Sequence, residues 1–158
     1  MRVHIGTDHA GFEMKNNLMK VLADEGYEPV DHGPQTYVSD DDYPSFCIAT
    51  AEAVIKDQQA GKDSLGVVFG GSGNGEQISA NKVSGIRAAL VWNEDTAKLA
   101  RQHNDANVVS IGARQHTEKE AFGLILTFLK EPFSEGERHI RRIKQLADYD
   151  GSKYPPKS

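Results

Sequence analysis

Glycines at 70, 71, 73 and 75 break the chain directly after the apolar run Leu65–Phe69. Glycine accepts positive φ and lets consecutive N–H groups turn to one side. A nest of that kind, opening onto a helix, receives an anion or a developing oxyanion. A tight strand-to-helix turn with no ligand would use the same residues. The run departs from the dinucleotide pattern, because Gly71-Ser72-Gly73 is followed by Asn74 and Gly75, with Glu76 where a third glycine belongs. It also departs from a Walker loop, since no Gly-Lys-Ser/Thr follows. Glu76, in a first helical turn, is either a surface carboxylate matched to the helix dipole or a base. A carboxylate beside an oxyanion site is the equipment for removing a proton next to a carbonyl.

Three further clusters carry polar groups. Asp8-His9 follows the apolar run Val3–Gly6. It reads as a helix-capping aspartate with a half-buried histidine, or as a polar pair able to hold a sugar hydroxyl or a phosphate. His103-Asn104 closes an amphipathic stretch. There the histidine is either a favourable charge at a helix C-terminus or an acid–base group suited to neutral pH. Arg138 and Arg142 share a helical face, flanked by His139 and Arg141. They form a solvated basic surface or a fork-like phosphate clamp. Arg114 could join the same anion or pair with an aspartate. Cys47, between Phe46 and Ile48, reads as core rather than nucleophile. Trp92 and the phenylalanines read as packing.

Short apolar runs and longer amphipathic stretches alternate along the chain. Strands are expected at Val3–Gly6, Glu28–Asp31, Leu65–Phe69, Arg87–Trp92 and Val108–Ile111. Helices are expected at Gly11–Glu25, stopped by Gly26, and at Phe46–Lys56, opened near Pro44. Gly75–Lys82, Asp95–His103, Ala121–Leu129 and Ser134–Tyr149 complete the set. Thr117 with Glu120 three residues on predicts a capping box. Five alternations argue for a parallel sheet with helices on both faces. Ligands of such sheets sit beyond the carboxyl ends of the strands. Asp8-His9, Gly70–Glu76 and Gly112-Ala113-Arg114 all fall just after strands. His103-Asn104 ends the helix before the fifth strand, so the fold alone does not bring it there.

The 158 residues are enough for one domain, expected over 1–150, with a frayed polar tail at 151–158. With 18 basic and 23 acidic side chains the net charge is −5, which argues against general nucleic-acid binding. One cysteine excludes an internal disulfide and a multi-cysteine zinc site. No apolar run approaches the ~20 residues of a membrane span. The N-terminus Met1-Arg2-Val3-His4-Ile5-Gly6 lacks a signal-peptide pattern, so a cytoplasmic location is expected.

Taken in order, four segments resemble the type B ribose-5-phosphate isomerase family, which includes the galactose-6-phosphate isomerase subunits. They are Asp8-His9-Ala10-Gly11, Gly70–Asn81 continuing through Lys82-Val83-Ser84-Gly85-Ile86-Arg87-Ala88-Ala89, His103-Asn104, and Arg138-His139 with Arg142. The resemblance runs over residues 1–149. It implies a three-layer Rossmann-like α/β/α sandwich on a five-stranded parallel sheet. It also implies a homodimer, or a tetramer, whose active sites draw on two subunits. The implied reaction is interconversion of ribose 5-phosphate and ribulose 5-phosphate, with no metal or organic cofactor. By the same resemblance Glu76 moves the proton between carbons 2 and 1 of a cis-enediolate, and the amides of Gly71, Ser72, Gly73, Asn74 and Gly75, with Ser72 itself, stabilise its oxygen. His103 assists ring opening, with Asp8 on the ring side. His9, Arg114, Arg138 and Arg142 hold the phosphate, and Asn104 orients a substrate oxygen.

One departure stands out. Many members carry a cysteine where Gly70 stands, and that thiol is their base; this chain is similar to the branch with glutamate at 76. Members of that branch act on other small sugar phosphates, so four-carbon erythrose or erythrulose phosphates and six-carbon allose or galactose 6-phosphates remain alternatives. A non-catalytic flavodoxin-like nucleotide-binding module is the alternative of another class, but 70–82 holds no aromatic residue for a flavin to stack on.

Overall fold

A computed structural model describes residues 1–154. Its strands are β1 (Arg2–Thr7), β2 (Glu28–Asp31), β3 (Ser64–Gly70), β4 (Ala88–Leu90) and β5 (Val108–Gly112). Its helices are α1 (Phe12–Asp24), α2 (Tyr43–Gln59), α3 (Asn74–Ala80), α4 (Glu94–Asn104), α5 (Glu118–Lys130) and α6 (Glu137–Asp150). All strand pairs are parallel, in the order β2-β1-β3-β5-β4. Helices cover both faces, so the three-layer α/β/α sandwich expected from the sequence is the observed architecture.

The strand order decides where polar loops meet. The chain leaves β1 for one edge, at β2, and returns to pair β3 on the other side of β1. Such a reversal opens a crevice beyond the strand ends. β5 then inserts between β3 and β4. The strands β1, β3 and β5 are therefore neighbours, and the loops that leave them lie side by side.

Every residue of β3 is buried, which explains its nearly continuous apolar run. Leu65, Val67 and Phe69 face one layer, where Met14, Leu18 and Leu22 of α1 pack with Ala97 and Ala100 of α4 and with Ala121, Ile125, Phe128 and Leu129 of α5. Val68 faces the other layer, with Cys47, Ala51 and Val54 of α2 and Ala80 of α3. A ring such as Phe128, fully buried, contributes on the order of 3–5 kcal/mol when compared with alanine.

Local signals set the helix ends. Thr117 accepts from the Glu120 amide at 3.2 Å while the Glu120 side chain returns to Thr117, the reciprocal box that opens α5. Gly26 takes φ 86° after α1. A short 3-10 turn, His9–Gly11, precedes α1, capped by Asp8 accepting from the Ala10 amide at 2.9 Å. Several elements are shorter than their sequence pattern: α1 spans Phe12–Asp24 rather than Gly11–Glu25, and α6 opens at Glu137 rather than Ser134. α3 ends at Ala80 rather than Lys82, because the chain continues in turns through Val83 and Ile86. β4 holds only Ala88–Leu90, since the Arg87 amide is taken by the Asn107 side chain at 2.8 Å.

Lys15 is fully buried, and its Nζ reaches Asp31 at 2.6 Å. Asp31 also accepts from the Gly33 amide at 2.8 Å. A buried charge is tolerated only when paired in this way. The pair anchors the start of the loop that runs from residue 33 to α2. The expected tail beyond residue 154 lies outside the described residues. Before it, Ser152 donates its amide to Asp150, and the Arg87 guanidinium stands 5.3 Å from the Tyr154 ring centroid.

Candidate active site

The β3–α3 turn is shaped by two steric demands. Gly73 has φ 84°, and a Cβ there would lie 2.7 Å from Leu90 Cδ1 and about as close to the Ile111–Gly112 backbone. Gly70 is constrained differently: a Cβ at 70 would fall directly on the Glu76 carboxyl. The carboxyl group of Glu76 thus fills the space that any side chain at 70 would occupy. Both groups cannot be present in the same place, so glycine at 70 and glutamate at 76 form a matched pair.

Glu76 is only 4% exposed. Burial pushes its carboxyl above the usual carboxylate range, with the Asp8 charge adding to the effect and its own backbone amide opposing it. Asp8 is buried as well, just past the end of the neighbouring β1. Cys47 is fully buried on α2, and its thiol is pushed up by burial and then by the Glu76 and Asp8 charges. It stays a protonated core residue, as its sequence context suggests.

Several expected partners join this end of the sheet. Arg114, after β5, gives its amide to the Gly71 carbonyl at 3.1 Å and lays its guanidinium against Gly71. His9 gives both its amide and its Nδ1 to Asp41 Oδ1, each at 2.8 Å. Ser72 differs from expectation. Its exposed hydroxyl accepts from the Asn74 amide at 3.2 Å and so shapes the start of α3. That bond occupies one of the five amides expected to face an oxyanion.

Four expected residues lie elsewhere. α4 starts beyond the carboxyl end of β4 and runs back along the sheet for eleven residues, about 16 Å at ~1.5 Å per residue. His103 and Asn104 therefore end at the amino side of the strands, four residues before β5 begins at Val108. The Arg87 guanidinium, just before β4, holds the Asn104 carbonyl there at 2.9 Å. The His103 ring stacks on His139 of α6, with centroids 4.2 Å apart and planes 15° from parallel. His139, buried beside His103, Arg138 and Arg142, has its imidazole lowered from the usual value by that burial and those neighbours. Arg138 and Arg142 are exposed on the same helix. One chain thus builds two separate clusters. Asp8, His9, Gly71–Glu76 and Arg114 occupy one end of the sheet, and His103, Asn104, Arg138 and Arg142 the other.

Two residues at the first cluster were not singled out from the sequence. Tyr43, at the start of α2, packs its ring where a Cβ on Gly75 would point. Asp41, in the loop before it, binds His9 across 32 positions. Three successive aspartates at 40–42 read as a solvated turn, and nothing local distinguishes Asp41 from its neighbours. Asp8, His9 and Asp41 also place one potential ligand atom each within 4.8 Å of one another. Within the trio the His9 Nδ1 is already spent on Asp41, and Asp8 Oδ1 accepts from the Ala10 amide.

The ribose/galactose isomerase family model matches residues 3–146 of this chain. A ribose-5-phosphate isomerase B of Mycolicibacterium paratuberculosis is 50% identical over 156 residues, covering 99% of this chain and 96% of that protein. The Mycobacterium tuberculosis protein of the same name is 49% identical, covering 99% and 94%. Among solved structures, ribose-5-phosphate isomerase B from Mycoplasma genitalium with bound ribulose 5-phosphate superposes with a TM-score of 0.88 at 37% identity, covering 96% of this chain and 97% of that one. The type B enzyme of Trypanosoma cruzi gives a TM-score of 0.87 at 41% identity, covering 95% and 96%. With matches of this extent in sequence and fold alike, the chain belongs to the ribose/galactose isomerase family.

Proposed function

We propose that this chain is an aldose–ketose isomerase that interconverts D-ribose 5-phosphate and D-ribulose 5-phosphate. The observation that carries the reading is the Glu76 carboxyl, buried, raised in pKa and set in the space left by Gly70. A base needs a pKa near the working pH to take a carbon-bound proton and give it back. Glu76 removes the proton from carbon 2 of the open-chain aldose, leaving a cis-enediolate. It returns that proton to carbon 1 as the carbon 2 hydroxyl passes its own to the carbon 1 oxygen, so the ketose forms with no net change in atoms or electrons. Amides of the Gly71–Gly75 turn other than that of Asn74, which Ser72 holds, serve the enediolate oxygen. Asp8 acts on the ring side before the sugar opens.

His9 and Arg114 hold one side of the phosphate. Arg138 and Arg142 of a second copy hold the other, and His103 and Asn104 of that copy reach the sugar. This arrangement requires a homodimer, with a tetramer as a further assembly. Its support is the division of the family's residues between two ends of one chain, and the exposed apolar side chains on and near α6. Ile140 is 38% exposed, Leu146 58% and Tyr149 95%. Exposed apolar groups in such number mark an interaction surface. The relatives named as ribose-5-phosphate isomerases, one of them holding ribulose 5-phosphate, favour the five-carbon substrate over four- and six-carbon sugars. The reading carries with it a cytoplasmic enzyme of the non-oxidative pentose phosphate branch.

The test is a panel of erythrose 4-phosphate, ribose 5-phosphate and allose 6-phosphate, each incubated with the purified chain and EDTA, with ketose followed by absorbance. Ribose 5-phosphate should turn over fastest. No turnover on any of the three would overturn the isomerase reading, and a preference for another sugar would move the substrate.

A further inference from the structure

The contact between Asp41 and His9 has a geometry that a surface ion pair does not need. Asp41 Oδ1 accepts twice from the same residue, from the backbone amide and from the ring Nδ1, both at 2.8 Å. The Asp41 side chain is 10% exposed. Its second oxygen, Oδ2, is buried with no hydrogen-bond partner among the described residues. Leaving a buried carboxylate oxygen unmatched is costly. All the hydrogen bonding of this carboxyl is thus concentrated in Oδ1 and directed at His9. A double hold on main chain and ring leaves His9 neither tautomeric nor rotational freedom, since the hydrogen must sit on Nδ1 for that bond to form. The ring is held a second time by the Tyr37 ring, edge-on at 6.5 Å. Nε2 is left as the nitrogen without a protein partner among the described residues, on a side chain that is 24% exposed.

We propose that Asp41 is a positioning residue for phosphate recognition, fixing His9 with Nδ1 protonated so that Nε2 is presented to the phosphate of the substrate. The inference deepens the proposed phosphate site and rests on that reading. Asp41 does not touch the substrate; it acts through His9. When the ring carries its second proton, Nε2–H donates to a phosphate oxygen and Asp41 balances the charge. Asp8, the other carboxylate within 4.8 Å of this pair, serves the same balance. The pattern matches metal-site histidines, whose far nitrogen is fixed by an outer carboxylate and whose affinity falls about 10–100-fold when that partner is lost.

The experiment uses the full chain and inorganic phosphate as the probe, so it does not depend on turnover. Phosphate affinity is measured by calorimetry for the wild type, Asp41→Ala, Asp41→Asn, His9→Ala and the His9→Ala/Asp41→Ala double variant. The His9 tautomer is read from ring nitrogen shifts. Asp41→Ala should weaken phosphate about tenfold and lose the Nδ1–H tautomer. Asp41→Asn, whose amide oxygen still accepts, should keep the tautomer and lose less affinity. In the His9→Ala background, removing Asp41 should change nothing further. In turnover, Asp41→Ala should raise KM and leave kcat within about threefold, the split expected when binding alone is lost. The proposal falls if Asp41→Ala leaves phosphate affinity and tautomer as they were. It falls equally if the alanine and asparagine variants lose affinity alike with the tautomer unchanged, or if the wild type binds no phosphate. Phosphate binding that depends on Asp41 in a chain without isomerase activity would sustain this inference while overturning the proposed reaction.

Discussion

At the carboxyl end of the sheet Glu76 and Asp8 are almost wholly buried, whereas on α6 Arg138 and Arg142 stand in solvent. Neither arginine forms an ion pair among the described residues. The first cluster holds its charges at a cost to the fold, because carboxylates removed from water lose solvation. Around it, Thr7 donates to the Phe69 carbonyl at 3.0 Å and Ala113 to the Gly70 carbonyl at 2.7 Å, so β1, β3 and β5 are tied together at their ends. The second cluster costs a single chain little, since hydrated arginines need no partner. α6 buries only His139, Ile143 and Ala147, one narrow stripe, and leaves Ile140, Leu146 and Tyr149 outside. The difference teaches a division of labour. Buried carboxylates are preorganised by packing within one chain, whereas the cationic groups stand hydrated at its surface, open to an anion.

The largest effect should come from Glu76→Gln. The amide is close in shape and cannot accept a carbon-bound proton, so kcat should fall about 10²–10⁴-fold with KM nearly unchanged. Steady-state rates with ribose 5-phosphate check this, and near-normal kcat would move the base out of the buried cluster. Gly70→Ala sharpens the same point from the other side. Its methyl group must displace the Glu76 carboxyl. A misplacement of about 1 Å should cost on the order of 10² in kcat. An unaffected kcat would show that the position of the carboxyl is not what matters.

The surface cluster is tested by Arg142→Ala, expected to raise KM and lower kcat/KM by about ten- to a hundredfold through loss of a charge-assisted bond. The same variant tests the sharing between copies. Mixing inactive Glu76→Gln with Arg142→Ala and allowing exchange should restore about a quarter of wild-type activity. Half of the dimers then carry one copy of each variant, and each of these holds one intact site. No recovery on mixing would place both clusters' work within one chain and break the comparison.

The smallest effect is on stability. The folded chain keeps the Glu76 proton to higher pH than the unfolded chain, because its carboxyl is raised. Stability should therefore decline as pH rises from the ordinary carboxylate range through the raised value. Glu76→Gln removes that loss, so its Tm should exceed that of the wild type at neutral pH and approach it in acid. Thermal melts across pH follow this directly. A Tm gap that does not change with pH would mean that desolvation of the carboxylate is not its source.

Much of the fold was legible because its signals are local. Thr117 with Glu120, Gly26 after α1 and the unbroken apolar β3 each depend on neighbours within a few positions, where backbone hydrogen bonding acts. Asp8-His9, the 70–76 turn and Arg114 were also readable, since each follows a strand and parallel strands end on one side. Where elements stop was less legible, as with β4, because Asn107 competes for the Arg87 amide from 20 positions away.

What the sequence alone determined is therefore the set of elements, their parallel sense and the residue types with chemistry to offer. Only the tertiary structure decided that β5 lies between β3 and β4, which makes the three polar loops neighbours. It alone brought Asp41 to His9 and Tyr43 to Gly75, and it alone set His103 at the opposite end of the sheet from Glu76. The physical reason is range. Helical periodicity and capping are written in residues three or four apart, whereas strand order and the meeting of loops follow from burying two faces of one sheet at once, a constraint that no short stretch of chain contains.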